Sequence, residues 1–233
     1  MALSRSITID GKTNKPTIFA VQAQASYAKS LIFVAEARVA VRTNNYIWAA
    51  IASYYSLFHL AISLMFMSPQ LIEPTLLTRL VKKRAGGTDD PTDLISHRYL
   101  PRFLSDCESH GLTPRLRELL EIARKIREEY ANYGPRIVWR DDKPTFLTRG
   151  FRPSDVRRIT MSIVPLLRRS LLWARKQQSY SQIVFVAVAV SLDWFLRNRD
   201  LHYTKWCSRQ VLVEAEALRR KLPFSTTTRA VTR

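Results

Sequence analysis

The sequence predicts an all-α fold: an up-and-down four-helix bundle with additional helices at its C-terminal end. Three observations carry this expectation. Hydrophobic residues make up 46% of the 233-residue chain, enough to fill a sizeable core. Glycine occurs only 6 times, so the turn signals of a many-stranded sandwich are scarce. Apolar residues recur at helical rather than alternating spacing along most of the chain.

Residues 1–17 are polar and read as an irregular lead-in. The bundle proper is expected over 18–178. In its first helix, 18–43, Val21, Ala25, Ala28, Ile32, Ala35 and Val39 recur on one side. Thr43, Asn44 and Asn45 interrupt the pattern, and either asparagine can cap the next helix. That helix, 45–67, stops before Pro69. Residues 68–90 read as a short basic segment and a loop at Gly86 and Gly87. Asp90, Pro91 and Asp93 mark the start of an additional helix over 90–108. Thr113 and Pro114 repeat the device for a helix over 113–133, which Gly134 and Pro135 end. Residues 135–152 form a basic loop with a short hairpin. The fourth helix, 153–178, turns Val156, Ile159, Ile163, Leu167 and Leu171 inward, with a kink expected at Pro165. A C-terminal helical extension follows over 179–222, its last helix starting near Ser208, and residues 223–233 read as a flexible basic tail.

The chain carries 37 Lys and Arg against 19 Asp and Glu, a net charge of +18. A body this basic attracts polyanions. Between Arg136 and Lys176 there are 11 basic residues and 3 aspartates, a local balance of +8. Nucleic acid is the partner this distribution favours over an anionic membrane or an acidic protein. The candidate contacts are Arg136, Arg140, Lys143, Arg149, Arg152, Arg157, Arg158, Arg168 and Arg169. Cys107 and Cys207 form neither a paired framework nor a CxxC knuckle, which fits free thiols in a reducing cytoplasm. No apolar stretch follows the first basic residues, so no secretory signal is expected. The run IVFVAVAVSL (183–192) is too short to cross a bilayer, and no membrane span is expected.

The stretch AAIASYYSLFHLAISLMF (49–66) resembles the signature helix of HEPN domains, which reads like A-Y-Y-A-x-F-H-A-A-x-x-L-L. Tyr54, Tyr55, Phe58, His59, Ala61 and Leu64 occupy matching places. Residues 95–135 resemble the family's second segment, a histidine-led helix followed by one ending R-x-x-A-D-Y-G. Asn132 stands where that aspartate would be, and Arg127 is offset by one. The resemblance spans about residues 20 to 178 and implies a HEPN-like bundle. A lone histidine in an apolar helix is usually a packed core residue, and His59 is read that way.

Many HEPN proteins are metal-independent endoribonucleases, and the resemblance implies an R-polar-x-x-x-H motif whose two copies meet across a homodimer. The sequence RNRDLH supplies Arg197, Asn198 and His202. The chemistry explains these residue types. A neutral imidazole moves the proton of an attacking 2′-hydroxyl near pH 7. A guanidinium grips the phosphate and offsets charge developing on its oxygens. An asparagine beside them orients the phosphate or the ring. No cofactor and no metal is called for. In the bundle as read, the family's motif belongs between about 133 and 153, where Arg136, Arg140 and Arg149 occur without a histidine.

The expectation is therefore a nucleic-acid-directed HEPN-family protein, an endoribonuclease if Arg197 and His202 are its site. The alternative is a non-catalytic HEPN subunit that binds RNA, a nucleotide or a protein through its basic face. The resemblance also implies a prokaryotic defence or toxin–antitoxin setting, with an antitoxin or a nucleotidyltransferase-like partner. A third reading, a basic scaffold at a membrane surface, rests on the arginine-rich fourth helix.

Overall fold

The computed structural model describes residues 7–9, 12–14, 17–85, 94–129, 136–140, 142–147, 152–176 and 208–222. These residues are mostly helical. The helices are α1 (Thr17–Arg42), α2 (Tyr46–Met67), α3 (Pro74–Ala85), α4 (Tyr99–Ser109), α5 (Arg115–Arg127), α6 (Pro153–Lys176) and α7 (Arg209–Arg219). Two short antiparallel hairpins accompany them: β1 (Ile7–Ile9) with β2 (Lys12–Asn14), and β3 (Arg136–Arg140) with β4 (Lys143–Leu147).

Helix α2 is the centre of the fold. It packs against α1 along its length and against α4, α5 and α6 elsewhere. Its start is fixed as the asparagine pair implied: Asn45 Oδ1 accepts from the Trp48 N–H at 3.1 Å. Asn44 enters the left-handed region at φ 58°, which asparagine tolerates, and turns the chain back on α1. By length and composition α2 is apolar enough to cross a bilayer, yet 78% of its most apolar window is buried within the fold.

The α1–α2 contact uses small side chains to bring two backbones together. Ser30 Oγ donates to the Ser56 carbonyl at 2.7 Å, and Ser56 Oγ returns a bond to the Ser30 carbonyl at 2.8 Å. Further along, Ser63 Oγ donates to the Ala23 carbonyl at 2.8 Å. Each of these buried hydroxyls is satisfied, which offsets the cost of taking it out of water. Around these links Leu31, Ile32, Leu57, Leu60 and Leu64 are fully buried. Helix α6 closes the other side of α2, where the buried Ser53 and Thr160 hydroxyls lie 2.8 Å apart.

Four departures from the sequence reading have local causes. The lead-in contains the β1–β2 hairpin, which alternating Ile7, Thr8 and Ile9 before Asp10-Gly11 should have signalled. Residues 74–85 form α3, whose apolar period at Leu76, Leu77, Leu80 and Val81 was hidden among basic residues. Helix α4 begins at Tyr99 rather than near Asp90: Ile95 to Arg98 are non-helical, and Ser96 accepts the Tyr99 N–H through both its carbonyl and its hydroxyl. Thr113 makes no side-chain cap for α5, which starts on Pro114. Pro165, where the sequence reading expects a kink, lies inside α6, which is helical on both sides of it.

Helix α7 packs on α1. Its Ser208 cap accepts the Val211 N–H at 3.3 Å, and Val211, Ala215 and Leu218 are buried. Glu214 binds Arg38 Nε at 2.6 Å and Arg42 Nη1 at 2.8 Å. Burial alone would raise the Glu214 carboxyl, but the Arg42 and Arg38 guanidiniums hold it below the usual carboxylate range.

Candidate nucleic-acid interface

Helix α6 sorts its residues by helical period. Val156, Ile159, Thr160, Ile163, Leu166, Leu167, Ser170 and Leu171 are buried. On the opposite side Arg157, Arg158, Arg168, Arg169, Arg175 and Lys176 are exposed. Arg157 and Arg168 are eleven residues apart, about three turns, and Arg157 and Arg175 are eighteen apart, about five turns. The same spacing relates Arg158, Arg169 and Lys176. Six cations therefore fall in two parallel rows on one face. At 1.5 Å rise per residue, the second pair lies about 16 Å and the third about 27 Å from the first.

Asp155 is the only acid in α6. One of its oxygens accepts the Arg152 N–H at 2.9 Å, half of a capping box that fixes the helix start. The other accepts from Arg158 Nη2 at 3.2 Å. That carboxylate is thus occupied at the first turn, and the four cations beyond it have no acid on their own helix. Burying the apolar stripe is what forces the opposite face, with its arginines, outward.

At the α2–α6 corner the row ends in a shallow groove lined by Tyr46, Pro153, Ser154, Arg157, Arg158 and Met161. Arg157 Nη2 donates to Tyr46 Oη at 3.3 Å, and Tyr46 Oη donates to Asn44 Oδ1 at 3.1 Å.

The other expected contacts are placed as follows. Arg152 is exposed just before α6. Arg136 and Arg140 open and close β3, Arg140 pairs with Lys143 of β4, and Asp142 between the strands takes φ 58°. Lys143 is exposed. Arg149 lies outside the described residues. So do Arg197, Asn198 and His202, and with them the expected catalytic group.

His59, read from the sequence as a packed core residue, shares an aromatic plate with His97. His59 stacks on Phe33 at 5.6 Å between centroids and 5° between planes. Phe58 lies 5.5 Å from His59 and 4.6 Å from His97. Tyr54 Oη hydrogen-bonds His97 Nδ1, and the Arg127 guanidinium sits 4.4 Å over the Tyr54 ring. Burial pushes the Tyr54 phenol up to about 12, so it stays protonated. Burial, with Arg127 and Arg124 nearby, lowers the His97 imidazole below its ordinary value. A neutral His97 suits this bond, and the plate reads as a structural joint between α2, α5 and the segment before α4. Nothing in the spacing of Tyr54 and His97, 43 residues apart, announced it. His110 ends α4 ahead of Gly111, which takes φ 86°.

Cys107 is buried, and burial pushes its thiol far up, so it is an inert core residue. Among the described residues no group of three or more His, Cys, Asp or Glu could hold a metal ion. No family model, no curated protein and no solved structure matches the chain.

Proposed function

We propose that this chain is a HEPN-like, nucleic-acid-directed protein that grips a phosphate backbone with the outer face of α6. One observation carries the reading: six cations stand in two rows on a single exposed helix face whose only acid is engaged at the first turn. Regularly spaced guanidiniums on a rigid rod suit a regularly charged polymer, and bidentate contacts to phosphate are what arginine does best. Binding of this kind releases counterions, so affinity falls linearly with salt on logarithmic axes. Titrating labelled RNA at several salt concentrations tests it. Charge reversal at Arg157, Arg158, Arg168 and Arg169 together should flatten the salt dependence, and an affinity indifferent to those reversals sinks the proposal.

Cleavage is the further part of this reading. Arg197, Asn198 and His202 supply the residue types for metal-independent scission through the 2′-hydroxyl, with the paired sites formed in a homodimer. RNA cleavage that survives EDTA and disappears in His202→Ala supports it. Binding without cleavage, unchanged by His202→Ala, selects the non-catalytic subunit instead. The proposed setting is cytoplasmic, in a prokaryotic defence or toxin–antitoxin system, with an antitoxin or nucleotidyltransferase-like partner.

A further inference from the structure

We infer that the groove at the α2–α6 corner receives an unpaired nucleobase, so that the strand held along α6 is single-stranded at that point. The inference rests on the phosphate-gripping role of α6 and specifies what that face prefers. The two ends of the cationic rows differ in chemistry. Near Arg175 and Lys176 the exposed face offers charge. Near Arg157 and Arg158 it also offers an apolar ledge of Tyr46, Pro153 and Met161. Met161 is 50% exposed, one helical turn beyond the two arginines. An exposed thioether is a poor surface residue by itself, but it adapts to the flat face of any base.

The tyrosine is held for such a contact. Its hydroxyl is fixed on both sides, by the Arg157 guanidinium and by Asn44, whose left-handed backbone places it at the turn. The ring is therefore oriented before anything binds, and little freedom is lost on binding. Pro165 has no N–H to offer the Met161 carbonyl, so an acceptor is released from the helix ladder beside the ledge. An apolar ledge, a neighbouring acceptor and two guanidiniums match a base with its attached phosphate. In a duplex the base faces are stacked against one another and only edges show, so the ledge has nothing to cover. Stacking on a ledge of this kind tolerates any sequence.

The full-length protein is titrated by fluorescence anisotropy with an unstructured RNA strand and with a closed RNA duplex carrying the same number of phosphates. We expect the strand to bind about five-fold or more tightly than the duplex, the range base stacking supplies. Met161→Ala, at an exposed position, should remove most of that preference while leaving duplex affinity unchanged. Tyr46→Phe, which keeps the ring but releases its two bonds, should keep part of it, and Tyr46→Leu should lose it, with circular dichroism showing both folded. In Met161→Trp the new indole should be quenched by the strand and not by the duplex. Equal affinity for the two RNAs, with the Met161 substitutions silent but the Arg168 and Arg169 reversals still weakening both, overturns the base site and leaves the phosphate grip standing. If the reversals change nothing for either RNA, the phosphate grip itself is wrong and the base site goes with it.

Discussion

The α1–α2 interface and the outer face of α6 are both helical surfaces, built from opposite materials. In the first, alanines and serines let two backbones approach, and the Ser30 and Ser56 hydroxyls each reach a carbonyl on the facing helix. In the second, arginines repeat at three and five turns, with no acid on the helix beyond its first turn. The inner surface is complete within the chain. The outer one concentrates charge of one sign, and it gains most by meeting an anion. Folding rests on the buried faces, the inner stripe of α6 included, and the proposed binding falls to the outer face of α6, so substitutions should separate them.

The largest expected effect breaks the inner surface. Leu60→Ala removes a fully buried side chain of α2 and should lower stability by about 2–5 kcal/mol in chemical denaturation, while the surviving folded protein keeps its RNA affinity. Reversing Arg168 and Arg169 should do the opposite. The transition midpoint should move little, because both side chains are exposed, and the salt slope of RNA binding should fall by about 0.7 to 0.9 for each phosphate that the variant no longer neutralises. If that double variant also unfolds the protein, the two surfaces are not independent. Ser30→Ala sharpens the comparison at smaller scale. The Ser56 carbonyl loses its donor while the Ser56 hydroxyl keeps the Ser30 carbonyl, for a loss of about 0.5–1.5 kcal/mol, whereas Ser30→Leu should be worse through overpacking.

The smallest effect concerns acid. The His97 imidazole is lowered in the fold, so its neutral form is the one folding favours. The unfolded ring titrates near the ordinary value of about 6.5. Its contribution is therefore complete above that pH and is lost as pH falls through the lower native value. Tyr54, Phe58, Arg127, Arg124 and Glu128 surround the ring, and the two arginines oppose its charging. Stability measured from pH 7 downward should fall less steeply in His97→Gln. Identical slopes would mean that the Tyr54–His97 bond does not hold the joint.

Much of this was legible in the sequence where the signal is local. Asn45 before an apolar run and Pro69 after it bounded α2, and the spacing of the arginines in 153–176 separated a wet face from a dry one. The misses come from signals that compete or lie far apart. Asp90 and Pro91 have the form of a helix start, yet Ser96 holds the chain just before the turn where α4 begins. The leucines of α3 sit among lysines and arginines that mask their period. Tyr46 and Arg157 meet across 111 residues, and no spacing rule connects them. The groove at α6 was therefore invisible until the helices were placed, although both of its arginines had been singled out.

The three-residue link Thr43–Asn45 has a kinetic consequence. It joins the two longest-packed helices through a minimal loop, so closing them costs little chain entropy and their contacts are near in sequence. We expect the α1–α2 hairpin to assemble early, with Ser56→Ala slowing refolding and Ile163→Val acting mainly on unfolding. A nascent chain would then shelter the apolar α2 before the arginine-bearing α6 had left the ribosome, whose RNA surface is the kind of polyanion that α6 is proposed to grip.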